Sequence, residues 1–213
     1  VINLIGGYHA FAAIKEDGSV VTWGDPSYGG DSSNVAALLT SGVKEVVGAE
    51  NFRALAALKE DGSVVTWGAS DHGGDSSNVT ADLSSGVIRI VENFRSFSAL
   101  KDDGSVVTWG DPSHGGDSSS VAALLTSGVK DIIAAKGAFA AIKVDGSVIT
   151  WGQAPYGGDS SDVAAQLSSD VAEIVANQSA FAALKSDGTL ISWGSTDNEG
   201  YGQTIAYTDT NIK

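Results

Sequence analysis

The 213 residues hold 12 Lys plus Arg against 26 Asp plus Glu, a formal charge of −14, and are 42% hydrophobic and 18% charged. That length and composition suffice for a well-buried core and exclude disorder, while the negative charge repels phosphate backbones and makes nucleic acid a poor partner. No run approaches the roughly 20 apolar residues that cross a bilayer, so no membrane insertion is expected. With no Cys, disulfides and thiolate chemistry are excluded.

The five Trp residues, Trp23, Trp67, Trp109, Trp151 and Trp193, are spaced 44, 42, 42 and 42 apart. Starting a copy at Val1, Val43, Val87, Val129 and Val171 divides the chain into repeats 1–42, 43–86, 87–128, 129–170 and 171–213. These are expected to form a single domain, 1–213. In chain order each copy opens on a short apolar strand (VINLI, VKEVV, VIRIV, VKDII, VAEIV). A second strand alternates bulk and small residues, with Phe11, Leu55, Phe97, Phe139 and Phe181 two positions before Ala13, Ala57, Ala99, Ala141 and Ala183. Such alternation lets neighbouring sheets interdigitate.

An Asp-Gly pair follows (Asp17-Gly18 and its counterparts), suited to the positive φ angles of a tight hairpin turn. A third strand, SVVTWG in the first copy, puts Val21 and Trp23 on one face and Val20 and Thr22 on the other. Apolar residues on both faces imply sheets stacked on sheets. The segment from Asp31 to Val43 reads as a short helix with a Ser cap and Gly42 at its end, on the spacing of Val35, Leu39 and Val43; the same spacing also fits a strand. The fold class expected is all-β, a β-propeller of five repeats with blades of three to four strands and a short helix after the Trp-Gly loop. After Trp193 the fifth copy departs from the template, as terminal repeats of an array or a ring do.

The pattern V..I/V......AL..DG.V.TWG.....G, with Gly202-Gln203 in the last copy, resembles the repeats of the regulator of chromosome condensation family. It resembles still more a variant with GGDSS after Trp-Gly, as at Gly29 to Ser33, found in large repetitive proteins of marine bacteria and dinoflagellates. The resemblance implies a β-propeller. It departs from the family in copy number and length, so the family's nucleotide-exchange and chromatin activities are not carried over.

Five positions after each Trp stand Tyr28, His72, His114, Tyr156 and, in the divergent copy, Asn198. Tyr28, His72, His114 and Tyr156 are candidate ligand-binding platforms for sugars or other flat ligands; the structural alternative is that each ring closes its own Gly-Gly loop. Asp31, Asp75, Asp117 and Asp159, each followed by Ser-Ser, are candidate Ca²⁺ ligands, and equally candidate caps of the segment that follows. Lys15, Lys59, Lys101, Lys143 and Lys185 precede the Asp-Gly turns and are expected to pair with nearby carboxylates in solvent.

No nucleophile elbow, zinc helix or phosphate-cradling loop is present, and every reactive residue recurs with the fold unit. The function expected is therefore non-enzymatic binding or scaffolding, with no cofactor required and a protein or glycan partner. The alternatives are a lectin-like module and an accessory subunit of a large complex. The absence of Cys and Met suits an exported or cell-surface module, or one in an organelle lumen, cut from or belonging to something longer.

Overall fold

The computed structural model describes residues 1–49 and 53–195, together with the backbone of a strand at Thr204–Asp209. Asn198 and the rest of the divergent segment before that strand lie outside the described residues. Each copy folds as one antiparallel sheet whose strands follow chain order. The first three sheets are β1 (Asn3–Gly6), β2 (Ala10–Ile14), β3 (Val20–Gly24); β4 (Val43–Ala49), β5 (Ala54–Lys59), β6 (Val64–Gly68); and β7 (Val87–Glu92), β8 (Ser96–Lys101), β9 (Val106–Gly110). The fourth is β10 (Val129–Ala135), β11 (Ala138–Lys143), β12 (Val148–Gly152), and the fifth β13 (Val171–Ala176), β14 (Ala180–Lys185), β15 (Leu190–Ser195), β16 (Thr204–Asp209). The all-β expectation and the blade of three to four strands hold.

The register explains why these residues recur. Phe139 faces Trp151 across the β11–β12 pair and Ala141 faces Ile149, so the bulky and small positions fall on one side of the sheet. On that side Phe97–Trp109, Phe139–Trp151 and Phe181–Trp193 stack with centroids 5.2–5.4 Å apart. In copies 2 to 5 the first strand carries a bulge just after its opening Val, between Val43 and Glu45 and at the equivalent places. The extra residue sharpens the local twist.

Contacts divide the chain into two compact units, Val1–Asp102 with Val107–Asp111, and Asp103–Val106 with Pro112–Lys213. Inside each, the small residues on the back of one sheet receive the bulky front of the next. In the first unit Ala12 and Ile14 pack on Val46, Leu55, Val65 and Trp67, with Leu39 filling the rim. Ala54, Ala56 and Leu58 likewise pack on Ile90, Phe97 and Trp109, with Leu83 at the rim. In the second unit Ala138, Ala140 and Ile142 receive Ile174, Phe181, Ile191 and Trp193, with Leu167 at the rim. Each such Trp or Phe contributes on the order of 2 kcal/mol by leaving water, and the ring pair about 1 kcal/mol more.

Local structure refines three readings. The Asp-Gly pair does form the hairpin turn. Only the Gly is left-handed, at φ +72 for Gly18. Gly18 N–H bonds to Lys15 O and Lys15 N–H to Ser19 O, giving a three-residue loop with a bulge.

The segment after the Trp-Gly loop is helical but 3₁₀, at Ser33–Leu38 and Ser119–Leu124. Its Ser32 makes no side-chain cap; the Asp before it does. Six residues are too few to repay α-helix nucleation, and Leu39 O is taken by Val20 N–H of the third strand.

The recurring Lys does not merely sit in solvent beside a carboxylate. Lys59, Lys101, Lys143 and Lys185 donate Nζ to backbone carbonyls of Leu38, Asp82, Leu124 and Gln166, at 2.8–3.1 Å, each in the preceding copy.

Candidate functional site

The chain leaves β3 at Gly24, whose φ of +114 allows close approach to His9 O. It then makes a single 3₁₀ turn, Pro26–Tyr28, before the left-handed Gly29. Asp25 Oδ1 caps this turn by accepting Ser27 N–H, and Asp25 O accepts Tyr28 N–H and Gly30 N–H. The same loop is built at Ser70–His72, Pro112–His114 and Ala154–Tyr156. It lies beside the turn between the first and second strands of its own copy, because Asp25 N–H bonds His9 O, Ala69 N–H bonds Arg53 O, Asp111 N–H bonds Arg95 O and Gln153 N–H bonds Gly137 O. Within each unit, these loops and turns make up one end of the sheets, and the Asp-Gly hairpins the other.

The predicted platforms occupy equivalent backbone positions with different environments. Tyr28 is half-buried, edge-on to His9 at 4.6 Å, with the Arg53 guanidinium 5.0 Å from its ring centre and Arg53 Nη2 donating to Tyr28 Oη at 3.3 Å. His72 is only 3% exposed, and its Nδ1 lies 2.8 Å from Asp71 Oδ1. That contact holds the Asp71 carboxyl below its ordinary pKa. His114 Nδ1 lies 2.9 Å from Ser113 Oγ. Tyr156 packs on the backbone of Gly137, where a Cβ would fall 2.8 Å from its ring. The Gly after each of these residues accepts an indole N–H from the next copy: Trp67 to Gly29 O, Trp109 to Gly73 O, Trp151 to Gly115 O and Trp193 to Gly157 O, at 3.0–3.1 Å.

The predicted metal ligands Asp31, Asp75, Asp117 and Asp159 each accept the N–H of the Ser two residues on, at 2.8–2.9 Å. Those hydrogen bonds hold all four carboxyls below the usual range. Asp31 and Asp75 line one groove of about 440 Å³ together with Pro26, Asn34, Trp67 and Ser77. Two carboxylates fall short of the oxygen cage that Ca²⁺ takes. Among the described residues no group of three or more His, Cys, Asp or Glu is placed to hold a metal ion, and no helix is long and apolar enough to cross a membrane.

Reasoning from sequence missed the partners of this end. The residue just before the second strand is His9, Arg53, Arg95, Gly137 or Ser179, varying while the Trp, Asp-Gly and Lys positions do not. Two of the three Arg residues in an acidic chain stand there. Arg95 lies 5.5 Å over the Phe94 ring and 3.7 Å from the Asp111 carboxylate. The second copy is also two residues longer than the third, and in the sequence the addition falls between Val47 and Arg53. Variation between copies was the available signal.

No protein-family model matches the chain, and no curated protein matches it. Solved structures do. Prp20p from Saccharomyces cerevisiae, described with its binding to Gsp1p and histones, is 16% identical at a TM-score of 0.56, covering 98% of this chain and 64% of that one. Yeast RCC1 (Prp20) bound to Kap60 is 17% identical at 0.57, covering 99% and 64%. Human WBSCR16 is 19% identical at 0.57, covering 96% and 66%. The chain thus spans just under two-thirds of the length of these solved chains. The likeness is one of fold, a β-propeller, as the repeat pattern implied.

Proposed function

We propose that this chain is a non-enzymatic, protein-binding propeller module that engages its partner through the loop end of its blades. The observation that carries the reading is the division of labour between the two ends of each repeat. The Trp, Ala and Asp-Gly positions are uniform, the Phe position departs only at Leu55, and in copies 2 to 5 they are consumed by packing or turn geometry. The turn before the second strand and the tip of the post-Trp loop differ from copy to copy. They collect Tyr8, His9, Tyr28, Arg53 and Arg95, residue types enriched where proteins meet. Tyr8 is 74% exposed, and Arg53 is exposed while donating to Tyr28.

Absence of catalysis belongs to the same proposal, since every candidate reactive side chain sits in a loop repeated with the fold. Gsp1p, histones and Kap60 are the partners of the yeast protein. For this chain they support only the general reading that such blades present protein-binding surfaces.

The test is recovery of a protein at fixed stoichiometry from native extract on the immobilised chain, against Tyr28→Ala and Arg53→Ala variants. Each variant is expected to weaken recovery about tenfold, as truncating an interface anchor does. A chain that binds sugars on a glycan array, recovers no protein, and loses the sugar with Tyr28→Ala would replace this reading with the lectin-like one.

A further inference from the structure

The front of the first sheet carries every element of an inter-blade joint except the other half. In copies 3 to 5 the joint has three parts; copy 2, with Leu55 at the Phe position, has the first and the third. The indole N–H bonds the Gly carbonyl of the preceding copy. The preceding Gly presses on the stacked Phe, with its Cβ position 2.6 Å from the Phe97 ring at Gly73 and 2.6 Å from the Phe181 ring at Gly157. The Lys Nζ caps a carbonyl at the end of the preceding copy's rim segment.

Copy 1 presents the same receiving geometry. Phe11 and Trp23 stack at 5.4 Å and 17°, within the range of the filled joints. Yet Trp23 is 45% exposed and Phe11 42%, against 1–4% for Trp67, Trp109, Trp151 and Trp193. Ile2, Leu4 and Val21 are exposed beside them. Among the described residues neither Trp23 Nε1 nor Lys15 Nζ makes a hydrogen bond, while the rear of the same sheet is filled by copy 2. An apolar face of this kind marks an interaction site, and this one also has two donors set at the spacing of a known joint.

We infer that the front of the first sheet docks one further copy of the same repeat, of the kind that bears a left-handed Gly-Gly loop followed by Asp-Ser-Ser. The Gly-Gly requirement follows from the geometry. A side chain in place of the first Gly would meet the Phe ring, and φ values of +74 to +92 at Gly29, Gly73, Gly115 and Gly157 are strained for any L residue. The rim carbonyl that Lys15 needs comes with the segment after Asp-Ser-Ser. The copy after Trp193 has neither feature in its sequence, so the complementary edge belongs to a complete repeat. This inference is independent of the loop-end reading, since it concerns a sheet face and not the loops.

The experiment fuses a second copy of residues 129–170, carrying Trp151→Phe, directly ahead of Val1 of the full chain. That is the register in which Asp170 meets Val171. Acrylamide quenching is read as the difference between each protein and its Trp23→Phe form, which isolates the emission of Trp23. The Trp23 component is expected to be readily quenched in the unfused chain and severalfold less so in the fusion. Gly157→Ala in the added copy, with unchanged circular dichroism of the remainder, is expected to restore quenching. The inference is overturned if Trp23 is equally quenchable with and without the added copy. It is overturned too if Trp23 is already shielded in the monomeric unfused chain, or if the unfused chain shields it by pairing with a second copy of itself.

Discussion

At Gly42, Gly86 and Gly128 the backbone enters a new copy with φ between +73 and +77, and the fourth copy places Asp170 at the same point with φ +64. Asp tolerates the left-handed region better than most residues, yet it still gives up about 1 kcal/mol there relative to Gly. Its side chain gains only an exposed bond from Ser169 Oγ. Asp170→Gly is therefore expected to raise the melting temperature by roughly 2–4 °C in scanning calorimetry. The anomaly is visible in the sequence, where one copy in four breaks a Ser-Gly-Val boundary. Other residue-scale facts are not. Tyr28 and His72 hold the same repeat position, and only the structure shows that one meets an Arg while the other is buried against its Asp neighbour. The difference is made by the neighbouring turn, whose length and composition change between copies and which no periodicity predicts.

The Asp-Gly hairpins behave as a set. Asp17, Asp61, Asp145 and Asp187 each accept a backbone N–H and lie beside a Ser or Thr hydroxyl two residues on, and their carboxyls are held below the usual pKa by those bonds. A carboxyl with a depressed folded pKa stabilises the fold above its unfolded pKa of about 3.9 and loses that contribution as pH falls through the folded value. The triple variant Ser19→Ala, Ser63→Ala, Ser147→Ala removes the hydroxyl bonds while leaving the backbone ones. Its melting temperature is expected to lie below that of the native chain at pH 6, with the gap closing below about pH 4. The strands and these turns were legible because period-two apolar alternation punctuated by Asp-Gly has one structural solution. The rim segment was legible only as helical, since 3₁₀ and α-helix share the same apolar spacing over so short a stretch. The carbonyl it ends on is claimed by a strand distant in sequence.

For the molecule, the repeat predicted the blade and its packing of sheet on sheet, because a Trp, a bulky Phe or Leu and an Ala recur at fixed spacing in each copy. What the repeat hid is the variation between copies at the loop end. A feature present in every copy cannot by itself separate binding from folding; the structure assigns the uniform positions to joints and turns, and the proposed binding surface lies at the variable loop end. The Lys positions show the same lesson from the other side: uniform and charged, they looked solvated, and in copies 2 to 5 they tie one copy to the one before it. The most direct test of the account places a photo-crosslinking residue singly at Tyr28 and Tyr156, at the loop end, and at Glu16 and Val144, at the hairpin end, in the chain incubated with extract of its own cells. Protein adducts from Tyr28 or Tyr156 and none from Glu16 or Val144 are the predicted result; adducts confined to the hairpin end, or equal from both ends, would contradict it.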